Sequence, residues 1–291
     1  MAEIVLKNGD CSAVINYHGA ELKSLKKGDK EYVWQADPAF WGRSAPVLFP
    51  FVGAVNEGKY YAEGKEYAMG QHGFARDMDF ELCAASDSND FVMFVLKSNE
   101  ETLTKYPFDF ELYISYKLSI DGELKVMWRV INPKTSKKSL EFSIGAHPAF
   151  NCILSDSMIR LSKDGKAVDG FENSVFGKGL LTDKKAEVKL ADGIMKLDEH
   201  TFDGDAFVIE NKQVDCVELL DNSGEKVLAV KFTSPLVGIW SPPGKNAPFL
   251  CIEPWYGRAD KEGFVGDISK REWNNTLGVG EIFEVEYSIV V

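Results

Sequence analysis

Histidine and paired cysteine are what this chain has least of. Its 291 residues include four histidines and five cysteines, and the cysteines stand at 11, 83, 152, 216 and 251 with no C-x-x-C pair. That scatter speaks against a disulfide framework and a structural zinc motif, and suits a reducing cytoplasm. The histidines are not spaced as a local metal set and no H-E-x-x-H occurs, so neither a metal nor a cofactor is expected. Basic charge is also short: 33 Lys and Arg face 45 Asp and Glu, a formal net charge of -12. Such a surface repels phosphate backbones and anionic lipid, which argues against nucleic-acid and membrane partners. No uncharged apolar run approaches the roughly 18 residues that span a bilayer. The opening "MAEIVLKNGD" has no basic stretch leading into an apolar one, so no signal peptide is expected. Missing too are G-x-x-x-x-G-K-[ST], G-x-S-x-G and a dinucleotide fingerprint; "PPGKNAP" has Gly-Lys without the leading glycine or the following hydroxyl.

What is present is apolar alternation. Apolar residues make up 45% of the chain and aromatics 12%, enough for a large core. "DCSAVINYH" sets Cys11, Ala13, Ile15 and Tyr17 on one face. "IFEVEYSIVV" alternates Phe283, Val285, Tyr287, Ile289 and Val291 against Glu284, Glu286 and Ser288. Period two means half-buried strands. Only "NEETLTKY" suggests a short helix. In "ELYISYKLSIDGELKVMWRV" a two-residue Asp-Gly turn would mix apolar and polar faces. A three-residue loop of Ile120, Asp121 and Gly122, with Gly122 left-handed, instead pairs Leu118 with Leu124 and Ile114 with Trp128, so burial selects it. "LSKDGKAVDGFENSVFGKG" reads as a surface excursion, not a boundary. The expectation is one all-β domain over 1–291, a large antiparallel β-sandwich with few short helices.

Polar residues at strand ends then carry the chemistry. Arg43 lies among aromatics in "FWGRSAPVLFP", His72 and Arg76 in "GQHGFARD", His147 in "IGAHPAF", Asp205 in "GDAFVIE" and Glu253 in "PFLCIEPWYG". His18 and His200 read as loop histidines holding hydrogen bonds. Gly145 and Ala146 leave room for a ligand beside His147. A carboxylate closing an apolar strand is costly to desolvate, so Glu253 should have a raised pKa unless Arg43 or Arg76 pairs with it. Asp205 alone would be a turn residue. Trp41, Trp240 and Trp255 read as core, although such rings also line sugar pockets. The set amounts to an acid–base kit without a nucleophile.

In that order and those contexts ("GRSAPVLFPFVG", "QHGFARD", "GAHPAFN", "DAFVIE", "CIEPWYG") the chain resembles the aldose 1-epimerase, or galactose mutarotase-like, family along essentially its whole length. The resemblance implies a large β-sandwich (a supersandwich) and a cofactor-independent isomerase acting on a hexose, as a monomer or homodimer. It makes Glu253 the general base at the C1 hydroxyl and His147 the general acid at the ring oxygen. His72 is then a second histidine near that oxygen, and Arg43 and Asp205 hold hydroxyls. Trp240 would line the sugar face. Ala146 and Pro148 around His147 depart from the asparagine-led context of the larger galactose mutarotases. "QHGFAR" is closer to the branch with hexose-6-phosphate mutarotases, in which Arg43 and Arg76 would bind phosphate; alternatively Arg76 pairs with Asp77 or Asp79. Two further readings stand beside it: a glycoside hydrolase using Glu253 and Asp205, and a sugar-binding module without chemistry.

Overall fold

Period-two burial dictates the architecture. In Cys11–Asn16 the alternation buries Cys11, Ala13 and Ile15, and a strand with one such face must cover it. The computed structural model, which describes residues 2–291, assembles these runs into antiparallel sheets of ten, eight and four strands with two small ribbons. The ten-stranded sheet runs from Lys166–Ala167 at one edge to Glu81–Ala85 at the other, with Ile282–Val290 and Glu123–Ile131 at its middle. The eight-stranded sheet runs from the hairpin of Gly170–Gly177 and Leu180–Lys189, through Leu236–Trp240 and Phe249–Tyr256, to Val47–Leu48. Phe94, Ile114 and Trp128 of the first meet Val237, Ile239, Leu250 and Ile252 of the second in one continuous apolar cluster. The protein is an all-β sandwich.

The one α-helix among the described residues is Glu100–Lys105. Asn99 and Thr102 close its first turn reciprocally: Thr102 N donates to Asn99 Oδ1 (2.9 Å), and Asn99 N to Thr102 Oγ1 (2.8 Å).

Two expectations about connections fare differently. The hairpin adopts the register chosen by burial, with Leu118 opposite Leu124, Tyr116 opposite Val126 and Ile114 opposite Trp128. The polar stretch from 161 to 179 is more ordered than a surface excursion: it supplies Gly170–Gly177, which with Leu180–Lys189 extends the eight-stranded sheet. Its outward face is exposed, hence the polar composition, while Phe171 is buried.

Gly122 has φ +89°, and an added Cβ would stand 2.7 Å from the carbonyl oxygen of Val291. Gly122→Ala is therefore expected to cost about 1–3 kcal/mol. Ile120→Asn, two residues away in the same loop and 64% exposed, should stay within about 0.5 kcal/mol. Chemical denaturation of the two variants checks the loop; equal stabilities would contradict it.

Candidate active site

The strand Phe249–Tyr256 positions the site. Leu250 and Ile252 point into the inter-sheet core, so Phe249, Cys251, Glu253 and Trp255 share the opposite face. Register then fixes their neighbours. On one side Leu236 faces Trp255, Gly238 faces Glu253 and Trp240 faces Cys251. On the other, Gly145 faces Trp255 and Ala149 faces Cys251. Both of these pairs lie on one register, which brings residue 147 opposite residue 253. His147 Nδ1 is 3.4 Å from Glu253 Oε2, and both side chains are buried.

The small residues around this row serve an aromatic ring. A Cβ on Gly238 would stand 2.4 Å from the Trp255 indole, and one on Gly145 would stand 2.7 Å from it. The space at Gly145, expected to admit a ligand, is thus filled by Trp255, and Ala146 faces the core. The indole N–H of Trp255 makes no hydrogen bond of good geometry, yet lies near enough to favour the ionised form of Glu253.

Charge is expensive here. Burial raises the Glu253 pKa well above the ordinary carboxylate value, with Trp255 opposing and the charge of Asp205 adding. The alternative, an ion pair of Glu253 with Arg43 or Arg76, is not formed among the described residues. Burial, followed by the Arg76 charge, pushes His147 down to about 3. Burial thus drives the two pKa values in opposite directions, the carboxyl up and the imidazole down. It thereby favours the uncharged form of both groups. Neither Nδ1 nor Oε2 has a properly aligned hydrogen-bond partner.

His72 is held differently. It has φ +68°, its amide donates to Gly53 O (2.9 Å), and Gly53 N donates to its Nδ1 (3.1 Å). Nδ1 is therefore an acceptor, which leaves the proton on Nε2. The ring lies edge-on to His147, with centroids 5.4 Å apart. Burial first, then His147 and Arg76, lowers its pKa well below 6.5. The Gly53 loop is itself pinned: Asp260 N donates to Ala54 O (3.0 Å), Asn56 N donates to Asp260 Oδ2 (2.9 Å), and buried Arg271 Nε donates to Asp260 Oδ1 (2.6 Å).

His72, Arg76, His147, Asp205, Trp240 and Glu253 all line one cavity of about 260 Å³. Arg76 Nη2 donates to Gln71 O (2.7 Å), while its Nε is buried without a hydrogen bond, 3.8 Å from Asp77 Oδ2. Burial lowers the Arg76 pKa to about 10. Asp79 pairs with His18 instead (2.8 Å). Asp205 has φ +76° and accepts from Ala206 N through one carboxylate oxygen (2.8 Å). Arg43 is not brought into the wall: it binds Asp77 at 2.7 Å, at the rim. Exposed His200 hydrogen-bonds Asp203 (3.0 Å), the loop role expected of it.

Sequence reasoning missed part of the wall. Trp41 was read as core, yet it stacks on His147 with ring centroids 4.7 Å apart, while Trp240 meets that imidazole edge-on. Phe176 and Gly179 come from the tip of the 170–189 hairpin, and Gln71 and Pro243 complete the mouth. Two larger depressions, about 470 and 630 Å³, lie on the outer face of the ten-stranded sheet. Solvated pairs such as Arg129–Glu284 and Arg160–Glu218 line them, and they lack a buried acid beside an imidazole.

Nitrogen-15 correlation spectra are expected to show His72 neutral, with the proton on Nε2, as pH falls through the ordinary imidazole range, because its lowered pKa delays protonation. An Nδ1–H tautomer, or titration near 6.5, would contradict the Gly53 hydrogen bond.

Comparison with known proteins gives the family. The family model described as Aldose 1-epimerase matches residues 2–289. The chromosomal protein LacX of Lactococcus lactis subsp. lactis is 32% identical over 266 residues, covering 87% of each chain. A putative glucose-6-phosphate 1-epimerase of Cenchrus ciliaris is 25% identical over 287 residues, covering 87% of this chain and 74% of that one. A galactose mutarotase related enzyme from Lactobacillus acidophilus superposes with TM-score 0.90 at 32% identity, over 99% of this chain and 97% of that one. A galactose mutarotase-like protein from Lactobacillus casei gives TM-score 0.91 at 31% identity, over 99% of both chains. With the family model spanning residues 2–289 and a relative 32% identical over 87% of each chain, the chain belongs to the aldose 1-epimerase family.

Proposed function

We propose that the protein interconverts the α and β anomers of an unphosphorylated aldohexose by ring opening. The observation that carries this reading is the His147–Glu253 row, an acid and a base 3.4 Å apart at the floor of one cavity. Anomers differ at C1, which bears both the hydroxyl and the ring oxygen. A catalyst must take a proton from one oxygen and give one to the other, and neighbouring groups can do both.

Glu253 carboxylate takes the C1 hydroxyl proton. The C1–O5 bond breaks, its electron pair goes to O5, and O5 takes a proton from His147. The aldehyde turns about C1–C2, and closure runs the transfers in reverse. One proton on the pair suffices, and sugar hydroxyls facing both groups supply the solvation that makes carboxylate and imidazolium affordable. His72 donates through Nε2–H near the ring oxygen. Arg76 and Asp205 hold hydroxyls, while Trp41 and Trp240 offer apolar faces. At about 260 Å³ the cavity falls just under the range of roughly 300–1,000 Å³ usual for drug-sized ligands. That favours a monosaccharide over the disaccharide unit a glycoside hydrolase would have to admit.

Polarimetry or exchange NMR on fresh α-glucose and α-galactose is expected to show acceleration. Glu253→Gln and His147→Asn should each lower it at least about a hundredfold. Undiminished rates in folded variants, or aryl-glycoside cleavage in place of mutarotation, would overturn the assignment. Because the pair must keep one proton and burial raises the Glu253 pKa, activity should persist above the ordinary carboxylate range and be lost as pH rises through that raised value. An alkaline limb near 4.5 would contradict that.

A hexose 6-phosphate is the second reading, supported by the buried Arg76 Nε without a hydrogen bond and by the likeness to the Cenchrus ciliaris protein. Asp77 weighs against it, since its carboxylate meets both Arg43 and Arg76 where a phosphate would have to bind. The free hexose is therefore expected to be the better substrate. Asp77→Asn should raise kcat/KM for the 6-phosphate at least about tenfold relative to the free sugar, roughly one charge-assisted contact. An unchanged ratio would remove Asp77 from selectivity.

A further inference from the structure

We propose that His147, Cys251 and Glu253 form a binding site for a soft divalent cation of the zinc class at the floor of the same cavity. Cys251 plays no part in the acid–base reading. It precedes Glu253 by two residues on one strand, so both side chains leave the sheet on the same face. Cross-strand pairing places it beside Ala149 and Trp240, one row from His147.

One donor atom from each of the three residues lies within 4.8 Å of the other two, and all three residues are buried. Zinc bond lengths of about 2.0–2.3 Å put tetrahedral donors roughly 3.3–3.8 Å apart. The nitrogen–oxygen edge, His147 Nδ1 to Glu253 Oε2, already measures 3.4 Å. The sulfur needs to close by roughly 1 Å to complete the face. Among the described residues neither Nδ1 nor Oε2 has an aligned hydrogen-bond partner, so two ligand atoms stand side by side with no other bond to break.

The donor set selects the ion. Imidazole, carboxylate and thiolate together suit zinc, cobalt or cadmium, whereas calcium and magnesium prefer all-oxygen shells. Three protein ligands leave a fourth position for a water, and His147 and Glu253 line the cavity from which one would come. Binding displaces the thiol proton and any proton held by Glu253. The coordination rests on atom positions alone. That it blocks turnover, in competition with sugar, rests on the acid–base roles proposed above.

The test uses the full chain carrying Cys83→Ser, which removes the exposed thiol. Cobalt(II) should give a thiolate-to-metal charge-transfer band that is lost in Cys251→Ala and Cys251→Ser and fades as hexose is added. Zinc should inhibit mutarotation reversibly by EDTA. The two Cys251 variants, active without metal, should need at least about tenfold more zinc. The absence of a thiolate band, or a band unchanged in both variants, would overturn the site. So would zinc sensitivity equal to that of the Cys83→Ser parent. Should mutarotation itself prove absent, the cobalt band alone still decides the coordination, so the two readings fail separately.

Discussion

A carboxylate sealed against an imidazole in an apolar sheet is the constraint on which the rest of the structure depends. Among the described residues neither Glu253 nor His147 has an ion-pairing residue other than the other, and burial opposes charge on both. Left alone the pair settles into neutral forms. A sugar that brings hydroxyls to both groups replaces the missing solvent, and so makes the charged arrangement attainable when substrate is present.

The sheet supplies the rigidity this demands. Gly238 and Gly145 remove side chains on either side of Trp255, and the indole settles into that space against Glu253. Trp41 fixes the other partner by stacking on His147. A different device holds His72. The buried Arg271–Asp260 pair anchors the Gly53 loop, and the Gly53 amide fixes the tautomer of His72. A buried ion pair is weak support for stability, but it suits a wall that must not move. The three strategies differ, yet each holds a polar group still without giving it a neutralising charge.

Much of this was legible in the residues, for reasons that can be stated. Burial alone selected the loop at Ile120–Gly122, because the other register would have turned apolar side chains outward. Glu253 announced itself by standing at the end of an apolar strand. That His147 faces it is a fact of cross-strand register, which no local pattern encodes. Gly145 was misread for the same reason: a small residue before a histidine suggests an opening, and only the fold shows the ring that fills it. Arg43 and Arg76, alike in sequence, are divided by Asp77, so that one lines the cavity and the other stays at the rim. The polar composition of the 170–189 hairpin correctly marked solvent exposure but hid Phe176 and Gly179, which its tip carries into the mouth.

The account's central claim is spatial: one pyranose must offer its two C1 oxygens to these two groups at once. A crystal structure of the Glu253→Gln variant soaked with glucose or galactose tests it directly. The account predicts the C1 hydroxyl within hydrogen-bond distance of residue 253 and the ring oxygen within reach of His147, with the sugar's far end toward Asp205 and Arg76. A pyranose bound with C1 away from residue 253, or seated outside this cavity, would contradict it.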